Sequence, residues 1–472
     1  MKKRIISMML TICMAVSIMT GCGKTGDSKG GTLSETDNDT ITAMLPPVSA
    51  TYQEKLDGWI SEFEKENPNL KVEVTTASWE DAVQKLDVQV NAGSPPDVAF
   101  INSSEISKYL NLGMVVDISQ YLEGERLTDY DENVLNYFKK EEGLYGLPAY
   151  CVVWCIGGNR EMLEAAGIDW RKIQSEGWTY DEFREAIKKG VVKSGNNVST
   201  YGFVFACSGV TAKDYFSIFV SNAGMPSAFD KDLKYCYTSK KMLTFLKELR
   251  NLVDDGSMPS NVGSIDAGKR WNMMLTGQTM ITGKGLPVFE KLATENNARL
   301  QNGDSSAVQD SVPVDYIVLP VPSFNGEEQA AYSTIDGYIC LTGSKNPDEQ
   351  HLRNVAKFMN FLSDGERAAQ ICQELYLTPV CQSGREAYDK LEPIAGKNED
   401  NTATVKRLTQ KIAEARPDIP AELGAKAIKI QDEVIVPKLQ GLLAGDLSPE
   451  EMYQAIVEAG QQQFGESGCV TD

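Results

Sequence analysis

The feature that most constrains this chain is an alternation near its start, where three short apolar runs are separated by two helical patterns. Residues 41–45, Ile-Thr-Ala-Met-Leu, read as a strand ended by Pro46-Pro47. A helix pattern follows with Leu56, Trp59, Ile60 and Phe63 on one face, and Asn67-Pro68 stops it. Residues 71–75 alternate as a second strand, and Ser78 is placed to cap a helix carrying Val83, Leu86 and Val90. Gly93-Ser94-Pro95-Pro96 then turns the chain into Asp97-Val98-Ala99-Phe100-Ile101. A β-α-β-α-β order implies a parallel sheet with right-handed crossovers. The fold class expected is α/β, with Trp59 and Trp79 as packing residues.

Ahead of this unit, Lys2, Lys3 and Arg4 precede an apolar run over 5–20, and Gly21-Cys22 closes it. The run is shorter than the roughly 20 residues that cross a bilayer core, so 1–21 is expected to be a secretory signal. Met19-Thr20-Gly21-Cys22 resembles a bacterial lipobox, which implies that Cys22 is acylated and anchors the chain to the outer face of the cell membrane. Residues 22–39 are polar and read as a flexible tether. Removing 1–21 deletes three positive charges and no acidic residue, lowering the net charge from -20 to -23. Such a surface repels nucleic acid, which is not an expected partner.

Two motifs look catalytic but lack their context. Gly26-Asp27-Ser28-Lys29-Gly30 fits a hydrolase elbow without the strand and helix an elbow needs, and residues 263–270 nearly spell a phosphate loop, with Arg270 where Ser or Thr must hold magnesium. Of the ten cysteines, eight follow Cys22, without Cys-x-x-Cys pairs. Most are expected to be buried small apolar residues. Cys151 and Cys155 are too far apart on a strand to bridge, and Cys372 with Cys381 is the one local disulfide left open. The only histidine, His351, reads as solvated, and no metal or other cofactor is expected.

Residues 143–167 mark the middle of the design. Gly143 to Gly146 read as a turn, 149–156 as an apolar strand, and Asn159 as the N-cap of a short helix that stops at Gly167. The Tyr145-Gly146-Leu147-Pro148 turn, the aromatic strand and Asn159-Arg160 resemble the crossover strand of the extracellular solute-binding proteins that serve ATP-binding cassette importers. Gly157-Gly158 stand where that family usually has aromatics. Other positions resemble it in order: Asn67-Pro68, Trp79, Pro96-Asp97-Val98, and Trp178-Thr179-Tyr180-Asp181-Glu182-Phe183, in which Thr179 and Glu182 form a capping box and Trp178 with Phe183 a staple. Tyr201-Gly202-Phe203 follows, then apolar helices around 215–220 and 242–253, and a helix near Arg270. Gly277 to Gly283 resembles the family's Gly-x-x-Ala-Met strand, but Gly285 replaces a tryptophan that stacks on sugar. Pro320-Val321-Pro322, a second crossover over 334–340, the helix start Asn346-Pro347-Asp348-Glu349, a further crossing at Leu377-Thr378-Pro379-Val380 and the helix opening at Ser448 complete the set.

The resemblance implies a two-lobed periplasmic-binding-protein-like fold with a ligand cleft between lobes: 40–152 with 336–378 as lobe 1, and 153–335 with 379–465 as lobe 2. Hinge strands would absorb closure. Crevices outside the carboxyl ends of parallel strands are where such folds bind ligands. The candidate ligand contacts are therefore Leu45, Pro46, Asn102 and Ser103 in the first lobe, Tyr150, Trp154, Asp336 and Tyr338 at the hinges, and Ser208, Trp271 and Lys284 in the second lobe. Trp154 and Trp271 also read as core. The resemblance further implies a monomeric binding protein that is not an enzyme, captures a small solute, expected to be an oligosaccharide, and presents it to membrane permease subunits. Amino acid derivatives, peptides and phosphorylated solutes stay open, as do a secreted glycan hydrolase and a receptor that feeds a sensor.

Overall fold

The computed structural model describes residue 34 and residues 37–471, apart from 50, 123, 196, 209–210, 325 and 344–346. The expected signal, most of the tether and Cys22 lie outside the described residues. The strands are β1 (Asp39–Leu45), β2 (Leu70–Thr76), β3 (Val98–Asn102), β4 (Lys139–Lys140), β5 (Gly143–Leu144), β6 (Gly146–Val153), β7 (Cys155–Asn159), β8 (Val192–Ser194), β9 (Asn197–Val204), β10 (Thr279–Gly285), β11 (Tyr316–Leu319) and β12 (Ser333–Cys340). They make two five-stranded sheets, ordered β2-β1-β3-β12-β6 and β11-β7-β10-β9-β8, and the β4-β5 hairpin stands where a plain turn was expected.

The opening alternation folds as its pattern requires. β1 pairs in parallel with both β2 and β3, and helices Tyr52–Glu66 and Trp79–Asn91 connect them. Leu56, Trp59 and Phe63 are buried on the first helix, and Ser78 caps the second by accepting from the Asp81 amide. That second helix turns Ala82, Leu86 and Val90 inward, an i, i+4, i+8 stripe that leaves Val83 and Trp79 outside it. Trp79 is 44% exposed, so it is not the packing residue the sequence suggests.

The apolar run over 149–156 is not one strand. It breaks at Trp154, so that β6 belongs to the first sheet, paired with β12, while β7 lies in the second between β10 and β11. Each sheet has its own core, and Trp154 packs against both. In the second lobe Asn159 caps helix Arg160–Ala165 and the Thr179–Glu182 capping box is complete. Trp178 sits edge-on to Phe183 at 5.2 Å.

Two further expectations are corrected, and the disulfide left open does not form. The chain does not cross between lobes at Leu377-Thr378-Pro379-Val380: Val380 and Cys381 are buried in the first core. Helix Gln382–Tyr388 stays there, held by Ser383 and Arg385 on Asp129 and Asp131. The chain meets the second sheet only with helix Glu399–Thr409, whose Asn401 bonds the backbone of β11. Cys372 and Cys381 are both free, buried thiols. His351 is not solvated: its Nδ1 lies 2.9 Å from Asp39 and its Nε2 3.2 Å from Asp97. Hydrogen bonds to Asp97 and Asp39 outweigh burial and push its pKa up to about 9.

Candidate functional site

In the first sheet the register of three neighbouring strands places Asn102, Asp336 and Tyr150 in one row. Asp336 of β12 is opposite Asn102 on β3 and opposite Tyr150 on β6, and directly opposed residues share a face of the sheet. The row lies at the carboxyl end of β3, where open parallel sheets present ligand crevices. Beside it the β12–β6 register shifts between Asp336 and Gly337, opposite Tyr150 and Pro148. Pro148 has no N–H to give the ladder, and a bulge there turns the strand.

Asp336 and Tyr150 are both strongly perturbed. Asp336 is 9% exposed, and burial pushes its carboxyl up to about 7, against hydrogen bonding from Tyr150 and the positive charge of Lys284. Its Oδ1 has no hydrogen-bond partner. Burial also holds the Tyr150 hydroxyl well above the ordinary phenol range, with Asp336 adding to the effect.

The row continues into the hinge. Trp154 Nε1 donates to Thr334 Oγ1 at 3.1 Å, and Thr334 lies two residues before Asp336 on the same face of β12. The Nζ of Lys284, at the end of β10 in the second lobe, lies 4.9 Å from the centroid of the Trp154 ring and pairs with Asp214 of helix Thr211–Ser221. Lys284 has a φ of 54°, a left-handed conformation uncommon for lysine. Asn102, Tyr150, Trp154, Asp336 and Lys284 thus form one connected group.

The remaining sequence candidates lie elsewhere. Leu45 and Tyr338 are fully buried in the first core, where Tyr338 packs edge-on against Phe100 at 5.0 Å. Neither side chain is open to a solute in this conformation. Pro46 is buried, and Ser103 opens a short turn that Asn102 caps by accepting from the Ser104 amide. Ser208 is half-buried, its amide bonded to Ile265. Trp271 stacks on Phe289 at 4.7 Å and meets Tyr316 edge-on, in a small core apart from the row.

Sequence reading missed several neighbours. Trp79 stands just past the carboxyl end of β2, its Nε1 donating to Pro47 and its ring edge-on to Phe100, which in turn touches Tyr150. The positional rule that selects Asn102 selects Trp79 as well. Lys213, on helix Thr211–Ser221, crosses between the lobes to Glu105 at 2.5 Å and also reaches Asp432 at 3.1 Å. Burial opposes the charge on Glu105, but Lys213 and Lys108 overcome it and hold the carboxyl below the ordinary range. This ion pair draws the lobes together.

The glycines that replace family aromatics have a steric reason. A Cβ on Gly157 would lie 2.3 Å from the Tyr316 ring, and one on Gly285 would lie 2.3 Å from the backbone of Ile156. No aromatic side chain fits at either position. Among the described residues no group of three His, Cys, Asp or Glu side chains is placed to hold a metal, and no helix is long and apolar enough to cross a membrane.

With this geometry in view, comparison with known proteins decides the family. The profile of the family described as bacterial extracellular solute-binding protein matches residues 46–366. The chain belongs to that family. Solved structures resemble this solute-binding protein over nearly its whole length. An ABC substrate-binding protein from Listeria monocytogenes, in complex with cycloalternan, matches with a TM-score of 0.70 at 20% identity, covering 91% of this chain and 100% of that one. A maltose/maltodextrin-binding domain from Bdellovibrio bacteriovorus, bound to maltotriose, matches with a TM-score of 0.67 at 15% identity, covering 90% and 99%. The cyclic alpha-maltosyl-1,6-maltose binding protein from Arthrobacter globiformis matches with a TM-score of 0.64 at 15% identity, covering 91% and 99%. Such likeness establishes the two-lobed α/β fold.

Proposed function

We propose that this solute-binding protein captures an oligosaccharide between its lobes and delivers it to the permease of an ATP-binding cassette importer, held at the cell membrane by a lipid on Cys22. The observation that carries the reading is the row Asn102, Asp336, Tyr150 leading to Trp154 at the crossing between lobes. It joins aromatic faces, which suit the apolar side of a sugar ring, to a buried carboxyl and an amide, which suit hydroxyls. The sugars bound by the structural relatives support the same class. The test is thermal unfolding of the unlipidated chain (residues 23–472) across oligosaccharides, monosaccharides, amino acids, peptides and phosphorylated solutes. Ligand at a hundred times its dissociation constant adds about 2.7 kcal/mol, enough to move the midpoint measurably. A shift confined to sugars recovered unchanged supports the reading. Shifts with other solutes only, or cleavage of the sugar, overturn it. For the anchor, Cys22→Ser is expected to release the protein from membranes, and persistent lipid labelling of that variant would refute it.

A further inference from the structure

Lys284 occupies an unusual place. Its ammonium sits over the ring of Trp154, paired with Asp214, and is electrostatically coupled to Asp336. An aromatic face flanked by carboxylates is the arrangement that recognises an ammonium group. Here the chain's own lysine fills it, held by a backbone conformation that lysine rarely adopts.

The charges around this place are unequal. Lys284 is the cation coupled to Asp336, and it is already paired with Asp214. Arg270, a further cation that acts on Asp214, is fully buried and donates to Thr282 Oγ1 and the Gly283 carbonyl, both at 2.7 Å. Tyr150, Thr334 and Cys151, whose electrostatics are also linked to Asp336, bring no positive charge. Asp336 is therefore left with an unpartnered oxygen, nine-tenths buried, in the electrostatic field of a second carboxylate, Asp214. A neutral hydroxyl satisfies the oxygen but not the charge, and an anionic solute meets two carboxylates and a lysine already paired.

We propose that the Trp154 face and Asp336 form a subsite for a protonated amine, that Lys284, tethered to Asp214, occupies it in the unliganded closed form, and that the solute is an amino-bearing oligosaccharide. This inference rests on the oligosaccharide reading above and narrows its substrate class. The incoming amine takes the unpartnered oxygen of Asp336 and the Trp154 face, and Lys284 moves away with Asp214 as the lobes reopen and close over the sugar.

The test is titration calorimetry at pH 7.5, where Asp336 is mostly ionised, with matched trimers: β-1,4-linked glucosamine, its N-acetylated form and the corresponding glucose trimer, together with maltotriose and 6-amino-6-deoxy-maltotriose. The amine-bearing member of at least one matched set is expected to bind at least tenfold more tightly than its neutral partners. Asp336→Asn is expected to abolish that preference, and Lys284→Met to increase affinity for the amine by vacating the subsite. A purely structural Lys284–Asp214 pair predicts no gain in the lysine variant. Equal or tighter binding of the neutral trimers, or a preference that survives Asp336→Asn, overturns the amine subsite and leaves the oligosaccharide reading standing. If none of the five trimers binds, the amine subsite falls, and if the wider sugar panel also gives no shift, the oligosaccharide reading falls with it.

Discussion

The clamp around His351 makes a quantitative prediction. Its imidazole bridges Asp39, the first residue of β1, and Asp97, just before β3, while Asn354 also donates to Asp39 and Thr42 to Asp97. The folded pKa of about 9 lies above the ordinary 6.5. A group whose pKa is raised by folding contributes its stability in full below the unfolded value and loses it as pH rises through the folded one. That shift corresponds to roughly 3 kcal/mol by linkage. The imidazole keeps 14% of its surface in solvent, so screening reduces this, and we expect about 2 kcal/mol. His351→Gln should therefore destabilise the protein by about 2 kcal/mol at pH 6. The difference should shrink between pH 6.5 and 9, and by pH 10 only the worth of a neutral hydrogen bond should remain. Urea unfolding followed by far-ultraviolet circular dichroism, wild type against variant at pH 6, 7.5, 9 and 10, measures it. Taking the difference cancels the effect of pH on the other groups. A difference that is flat, or that grows toward pH 10, would refute the clamp.

Other outcomes follow from the site and the lobes. Asp336→Ala is expected to weaken solute binding more than tenfold, about 1.4 kcal/mol, since a charge-assisted hydrogen bond is lost; an unchanged calorimetric affinity would move the site elsewhere. Glu105→Gln removes the carboxylate that Lys213 reaches across the lobes and should favour the open form by about 1–3 kcal/mol. Small-angle scattering should then show a larger radius of gyration without solute, and an unchanged radius would mean that the pair does not govern closure. Gly285→Ala puts a Cβ against the Ile156 backbone and should destabilise by about 1–3 kcal/mol in thermal unfolding, whereas a neutral result would show that the two strands can part at no cost.

Features whose partners are close in sequence were legible. Ser78, Asn159 and the Thr179–Glu182 box cap their own helices within three residues, so spacing alone reveals them. The parallel pairing of β1 with β2 and β3 was legible for the same reason, because short helices must connect such strands. What long-range packing decides was not. His351 meets Asp39, 312 residues away, and Lys284 reaches Asp214 over 70. Neither separation leaves a local pattern. Val83 and Trp79 fell on the outer side because the first sheet accepts one stripe of that helix, and a neighbouring stripe was equally apolar in sequence. In the candidate site, positions at strand ends and crossings led to Asn102, Tyr150, Trp154 and Asp336. They also led to Tyr338, which shares that face two residues along β12 from Asp336 but is sealed in the first core, and to the fully buried Leu45, because position along a strand does not say how deeply its neighbours cover a residue.

The tight glycine contacts of β7 and β10 have a kinetic consequence. With Gly157 and Gly285 filled by backbone and the Tyr316 ring, the second lobe has no room there for a stacking ring, and the aromatics near the row come from the first lobe and the hinge. Encounter and release should then be governed by different halves of the molecule. A solute would first settle on Trp79, Tyr150 and Trp154, and the second lobe would arrive afterwards with Lys284, Asp214 and Lys213. Changes at Trp79 should alter the association rate, and changes at Lys213 the residence time. Stopped-flow fluorescence separates the two, and an effect of Lys213 confined to association would reverse the order of events.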